Sequence, residues 1–232
     1  MPDSILRDVL AQLRTVEYYH RQTTVMSALR HDVYWMSGNT LLAFIPAGLA
    51  LWLFAGQLGV RFPLAPPRHR VVRWLIIACI IAFLPNAPYI MTDLVHLATG
   101  FEVMGAKALV LAPLYVLVVT SALVAYALTL RLLMAPVVAS GRERLVPLLL
   151  VTSHLACAVG IQLGRGQRLN SWWIVTRPQR VLDGLGHALT DPASQLFIVI
   201  VFLATAGGHL LADRVIVGSR LPDNVEALPH ER

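Results

Sequence analysis

Lipid offers no hydrogen bonds to an exposed backbone, so a chain segment inside a bilayer must satisfy its own N–H and C=O groups. Five apolar runs place most of this chain under that rule, at about residues 39–60, 71–92, 106–130, 145–163 and 194–217. Each supplies roughly the 20 residues that cross a hydrocarbon core about 30 Å thick at a 1.5 Å rise per residue. The expected fold is therefore all-α, an integral membrane helical bundle of about five transmembrane helices in a multi-pass protein of the cell membrane. Composition agrees: 56% of the 232 residues are hydrophobic and only 14% are charged, against about a quarter charged in soluble domains.

The second run is irregular. From Val71 to Leu84 it is uninterrupted for only 14 residues, about 21 Å of helix, which stops short of a full crossing. There follows Phe83-Leu84-Pro85-Asn86-Ala87-Pro88-Tyr89, then Thr92-Asp93-Leu94 and His96-Leu97. Pro85 and Pro88 cannot donate to the carbonyls of Ile81 and Leu84, and each biases the residue before it, Leu84 or Ala87, away from helical dihedrals. Asn86 is expected to cap a resumed helix by accepting an N–H near Pro88 or Tyr89. At 100° per residue, Asn86, Tyr89, Asp93 and His96 fall in one arc. Such a stripe can hold a proton, an ion, a metal or a polar head group, or can simply mark where a helix reaches the head-group layer.

A second polar stretch, Gly164-Arg165-Gly166-Gln167-Arg168-Leu169-Asn170-Ser171-Trp172-Trp173, follows the fourth run. Arg165 and Arg168 share a face if helix continues through them. Asn170 and Ser171 form turns or caps, and the two tryptophans suit a membrane interface. Elsewhere His154 is an intramembrane histidine, His209 and Asp213 are spaced to pair, and Gly207 and Gly208 permit close helix approach. Residues 1–38 form an N-terminal segment with the spacing of an amphipathic helix and no cleavable signal peptide. Thr176 to Pro192 reads as a surface helix, and residues 218–232 as a disordered tail. Cys79 and Cys157 lie inside apolar runs, so no disulfide framework, metal spacing or cofactor motif is evident.

The second and fourth spans cross in the same direction. Their polar ends, Pro85–Leu97 and Gly164–Trp173, therefore emerge on the same side of the membrane. Asp93 and His96 should share a layer with Arg165 and Arg168, where a dehydrated carboxylate needs a cation. The 19 cationic side chains divide ten against nine between the two sides. Setting Arg165 and Arg168 aside as site residues tips the balance to ten against seven, toward an outward-facing site. Net charge is +6, but the arginines are spread over short loops, which fits topology and head-group contact rather than nucleic-acid binding.

These two stretches, in this order, resemble the two signatures of the DUF1361 membrane proteins. The first is Phe83-Leu84-Pro85-Asn86-Ala87-Pro88-Tyr89 through Thr92-Asp93-Leu94 and His96-Leu97; the second is Gly164-Arg165, Arg168 and Asn170-Ser171-Trp172. The resemblance covers roughly residues 32–217 and implies a membrane location and the helical fold. Where the family has an acidic residue after the tryptophan, this chain has Trp173.

The resulting expectation is a non-catalytic membrane protein with a polar site at one membrane face. Asn86, Tyr89, Asp93, His96, Arg165, Arg168 and Asn170 would take an anionic lipid or small anion there. One alternative is a membrane-embedded enzyme acting on a lipid or phosphate-bearing substrate, with Asp93 and His96 as base or metal ligands. The other is a purely architectural bridge from Asp93 to Arg165 or Arg168. No cofactor and no bound metal is expected, and transport would need an oligomer because five spans do not divide into halves.

Overall fold

The computed structural model describes residues 25–59, 63–169 and 173–218, together with Ile5, Arg7 and Arg61. Of the N-terminal amphipathic segment before residue 25 only Ile5 and Arg7 are described. Residues 170–172, Asn170 among them, and the tail from residue 219 lie outside the described residues. Helix α1 runs Val25–Phe54, so the first span begins well before its expected start at Asn39 and includes Asp32. Helix α2 is Arg70–Phe83, α3 Asn86–Tyr89 and α4 Leu94–Met104, with a 3₁₀ turn at Ile90–Asp93. Helix α5 is Ala112–Ala139, α6 Val146–Ile161, α7 Trp173–Thr176, α8 Pro178–Thr190 and α9 Pro192–Gly218. Among the described residues, five stretches are long and apolar enough to cross a membrane: Val25–Gln57, Arg70–Glu102, Ala112–Ala139, Glu143–Gly166 and Pro192–Ile216.

Packing follows membrane logic. The buried positions are dominated by small side chains, among them Ala43, Ala50, Ala122, Ala127 and Ala158, while Leu41, Leu75, Leu117, Leu148 and Leu203 face outward. Lipid tails are as apolar as leucine, so large aliphatics gain little by leaving them, and alanine lets helix backbones approach. Helix α1 packs on α5 and α2, and α9 packs on α5 and α6. Gly208 of α9 meets Leu123 of α5 so closely that a Cβ there would lie 2.8 Å from Leu123 Cδ2. Gly207 has open space around it. Helix α6 leans on α9 and approaches α2 and α5 much less. The amphipathic helix α8 lies against this pair, burying Gly184 and Ala188.

The break after α2 is tighter than the prolines imply. Leu84 keeps helical dihedrals (φ −53°, ψ −40°), as does Pro85 (φ −62°, ψ −20°). The chain therefore passes from α2 into α3 without unwinding, and the expected shift of Leu84 to extended backbone does not occur. The Tyr89 N–H reaches Pro85 O at 3.0 Å and the Ala87 N–H reaches Leu84 O at 3.4 Å. Asn86 is not an N-cap acceptor. Its Nδ2 donates backward to Phe83 O at 3.0 Å, supplying a partner where the ladder is disturbed. The carboxamide gives Phe83 O a partner, and the Ala87 N–H serves Leu84 O, the carbonyl that Pro88 cannot reach.

Candidate functional site

A second irregularity faces the first. Helix α6 ends in a π turn, Gln162–Gly166, a widened geometry that displaces side chains from regular helical positions. Gln162 is fully buried and its Nε2 donates to Ser194 Oγ at 2.8 Å, tying the turn to α9. A Cβ at Gly166 would come within 2.7 Å of Gln162 Nε2, so glycine is what lets the turn close over that side chain. The turn aims Arg165 into the break.

Arg165 is the hub of the cluster. Its Nη1 donates to Asp93 Oδ1 at 2.8 Å and to Thr92 Oγ1 at 2.8 Å. Nη2 stands 3.2 Å from His96 Nε2; because arginine can only donate, that histidine nitrogen is the acceptor. The guanidinium also lies over the Tyr89 ring, 5.4 Å from its centroid. Asp93 has no solvent exposure, and its second oxygen, Oδ2, accepts from Asn39 Nδ2 of α1 at 3.3 Å. Thr92 Oγ1 in turn donates to Tyr89 O at 2.6 Å. Three spans thus meet in one charge-balanced network, in which both carboxylate oxygens are occupied.

Next to the network, between the break, α1 and α6, lies a cavity of about 450 Å³. Asn39, Asn86 and Tyr89 are its polar wall, and Ala82, Gly160 and Ile174 belong to its apolar wall. Gly160 packs closely on the break, where a Cβ would sit a tight 3.2 Å from Pro85 Cγ. Asn39 and Asn86 both commit an amide N–H to the protein, to Asp93 and to Phe83 O, respectively.

Of the residues singled out in the sequence, Tyr89, Asp93, His96 and Arg165 converge. Asn86 stands apart from the arginine and lines the cavity instead. Arg168 does not share a face with Arg165: it is exposed, at φ 55°, where the chain has left the helix. Asn39 and Thr92 were not among the expected site residues, although Asn39 opens the first apolar run on the same membrane side as Asp93.

A second polar group lies within the bundle. Tyr126 Oη is 2.9 Å from His154 Nδ1, and the His154 and His209 rings meet edge to face at 5.1 Å. His154 is thus partnered. Asp213 pairs with Arg131 across α9 and α5 at 3.2 Å rather than with His209. Asp32 of α1 accepts from Tyr115 Oη at 3.1 Å. Among the described residues, no three histidine, cysteine or acidic side chains are grouped to hold a metal ion.

The sequence profile of a family described as "Protein of unknown function (DUF1361)" matches residues 38–206. That range is well over half of the chain and contains both irregular segments. No curated protein and no solved structure matches it.

Proposed function

Given that the chain belongs to the DUF1361 family, whose description assigns no activity, and has helices long and apolar enough to cross a membrane several times, we propose that it is a non-catalytic binding protein. Its ligand is the polar head of a small membrane amphiphile, and its site is the cavity beside the Asp93–Arg165 network. The observation that carries this reading is the cavity itself, about 450 Å³ with a wall that joins Asn39, Asn86 and Tyr89 to apolar side chains. Ligand sites combine such an apolar cleft with a few fixed polar groups. The charge of Arg165 is offset by Asp93, so the site favours a hydroxyl- or amine-bearing head over a bare anion. With one amide N–H of each committed elsewhere, Asn39 and Asn86 keep their carboxamide oxygens as acceptors for such a head. The catalytic alternative would need a carboxylate that can reach a substrate, whereas both oxygens of Asp93 are engaged and the group has no exposure.

Ligand-dependent thermal stability of the full chain in detergent tests the reading. Diacylglycerol should raise the melting temperature of the parent, and inorganic phosphate should not. Ala82→Phe, which fills the cavity without touching the ion pair, should abolish the rise, and Tyr89→Phe should reduce it. A rise that is equal in Ala82→Phe would place the ligand elsewhere and end the proposal.

A second reading, a purely architectural Asp93–Arg165 lock, is favoured by the completeness of the network. It predicts no ligand response in either protein.

A further inference from the structure

The membrane side opposite the Asp93–Arg165 network carries a larger opening. Between α2, the last turns of α5 and the first half of α6 lies a cleft of about 850 Å³. It exists because α6 leans on α9 and leaves α2 and α5 largely uncovered. Ile77, Ile81, Leu133 and Leu149 belong to its apolar wall; Arg70, Arg73 and Arg142 stand at its mouth, and Pro85 and Cys157 lie deep within it. From Arg70 to Pro85 the cleft follows α2 for about 22 Å at 1.5 Å per residue. That exceeds one leaflet, about half of a 30 Å core.

We propose that this cleft is a binding site for an anionic phospholipid, with an acyl chain along the apolar wall and the phosphate held by Arg70, Arg73 and Arg142. A gap of this size within the hydrocarbon layer forfeits dispersion contacts on all its walls unless something apolar fills it. The three guanidinium groups say what kind of molecule that is. None has a carboxylate partner among the described residues, and Glu143, the acid adjacent to Arg142 in the chain, forms no ion pair with any of them. Three unpartnered arginines at the head-group level attract net negative charge, and a guanidinium matches the phosphate oxygens in geometry. A zwitterionic lipid brings its own cation and gains less.

The test is binding of phosphatidylglycerol to the purified full chain in nonionic detergent. Native mass spectrometry would count retained lipid, and thermal unfolding would give an independent readout. Phosphatidylcholine and soluble glycerol phosphate serve as comparisons. The parent should retain phosphatidylglycerol in preference to phosphatidylcholine and should gain stability from it, while glycerol phosphate should do neither.

The triple variant Arg70→Gln, Arg73→Gln, Arg142→Gln should bind phosphatidylglycerol about tenfold or more weaker, losing the preference. Ala156→Trp, which obstructs the apolar wall and keeps all three arginines, should lose retention of the lipid. Equal retention of both lipids by the parent would overturn the proposal, as would an undiminished preference in the triple variant. Stabilisation by glycerol phosphate alone would reduce the site to a surface anion contact and would also overturn it. Because Ala82→Phe lies outside this cleft, it should leave phosphatidylglycerol binding intact, which separates failure here from failure of the cavity beside Asp93.

Discussion

Asp93 and Arg165 are the residues on which the sequence and the structure agree most closely, and the agreement has a physical basis. A carboxylate without solvent needs a cation, and the parity of the spans placed Arg165 and Arg168 within the same layer. The choice between those arginines was not legible, because it depends on a π turn that aims Arg165 inward and on a left-handed residue that turns Arg168 out. With the pair buried as it is, Asp93→Asn or Arg165→Gln should each lower stability by about 3 kcal/mol or more, since each leaves an uncompensated partner. The double variant should lose no more than either single one. Chemical unfolding in detergent of the four proteins of this cycle measures that coupling; additive losses would mean that the pair does not act as a unit. A milder effect belongs to Asp191, outside the spans, which caps α9 by accepting the Ser194 N–H at 2.8 Å. That backbone hydrogen bond holds its carboxyl below the usual carboxylate range. The folded value lies under the unfolded one, so the stabilisation is present above the unfolded pKa of about 3.9 and is lost as pH falls through the folded value. Asp191→Ala should cost about 1 kcal/mol at neutral pH and should remove that part of the acid-side slope in a melting-temperature profile.

At the scale of elements, the break after α2 teaches what a proline rule leaves out. Two prolines within four positions imply lost hydrogen bonds, and Asn86 reads as a forward cap on that ground. The chain instead stays close to helical, and Asn86 donates backward to Phe83 O. Tertiary packing against α1, α5 and α6 overrides the local dihedral preference. Asn86→Leu should therefore cost about 1–3 kcal/mol by stranding a carbonyl where lipid offers no partner. Asn86→Asp should cost at least as much, because an ionised carboxylate cannot donate. Thermal unfolding in detergent, with proteolysis as a check on local opening, measures both. A loss confined to Asn86→Asp would mean that the Phe83 carbonyl finds another donor. Asn39 shows the complementary limit of reading by runs: a carboxamide at the head of an apolar helix looks like a boundary marker, and its bond to Asp93 appears only once α1 is packed against the break. The π turn has no sequence signature beyond Gly164 and Gly166. A Cβ clash of Gly166 with a buried glutamine cannot be anticipated before that glutamine is placed.

At the scale of the molecule, one count did most of the work: five apolar runs, an odd number, with the two polar segments at the ends of the second and the fourth. The contact of Arg165 with Asp93 requires those ends to lie on the same side, as the count implies. Charge could not fix the absolute orientation, because ten cationic side chains oppose nine. The parity has a direct consequence for labelling. Lys107 and Arg142 bracket α5 and are both exposed, so a single crossing must place them on opposite sides of the bilayer. Lys107→Cys and Arg142→Cys, each in intact cells, should differ in reaction with a membrane-impermeant maleimide, and detergent should make both reactive. Cys157 is buried, and Cys79, although exposed from the bundle, lies within the second span; neither should add signal from the intact cell. If the accessible position is Lys107, the Asp93–Arg165 network faces the labelled side and the arginine-lined cleft faces the opposite side; if it is Arg142, both assignments reverse together. Reaction of both positions from one side would mean that α5 does not cross, and the five-span topology would fall with it.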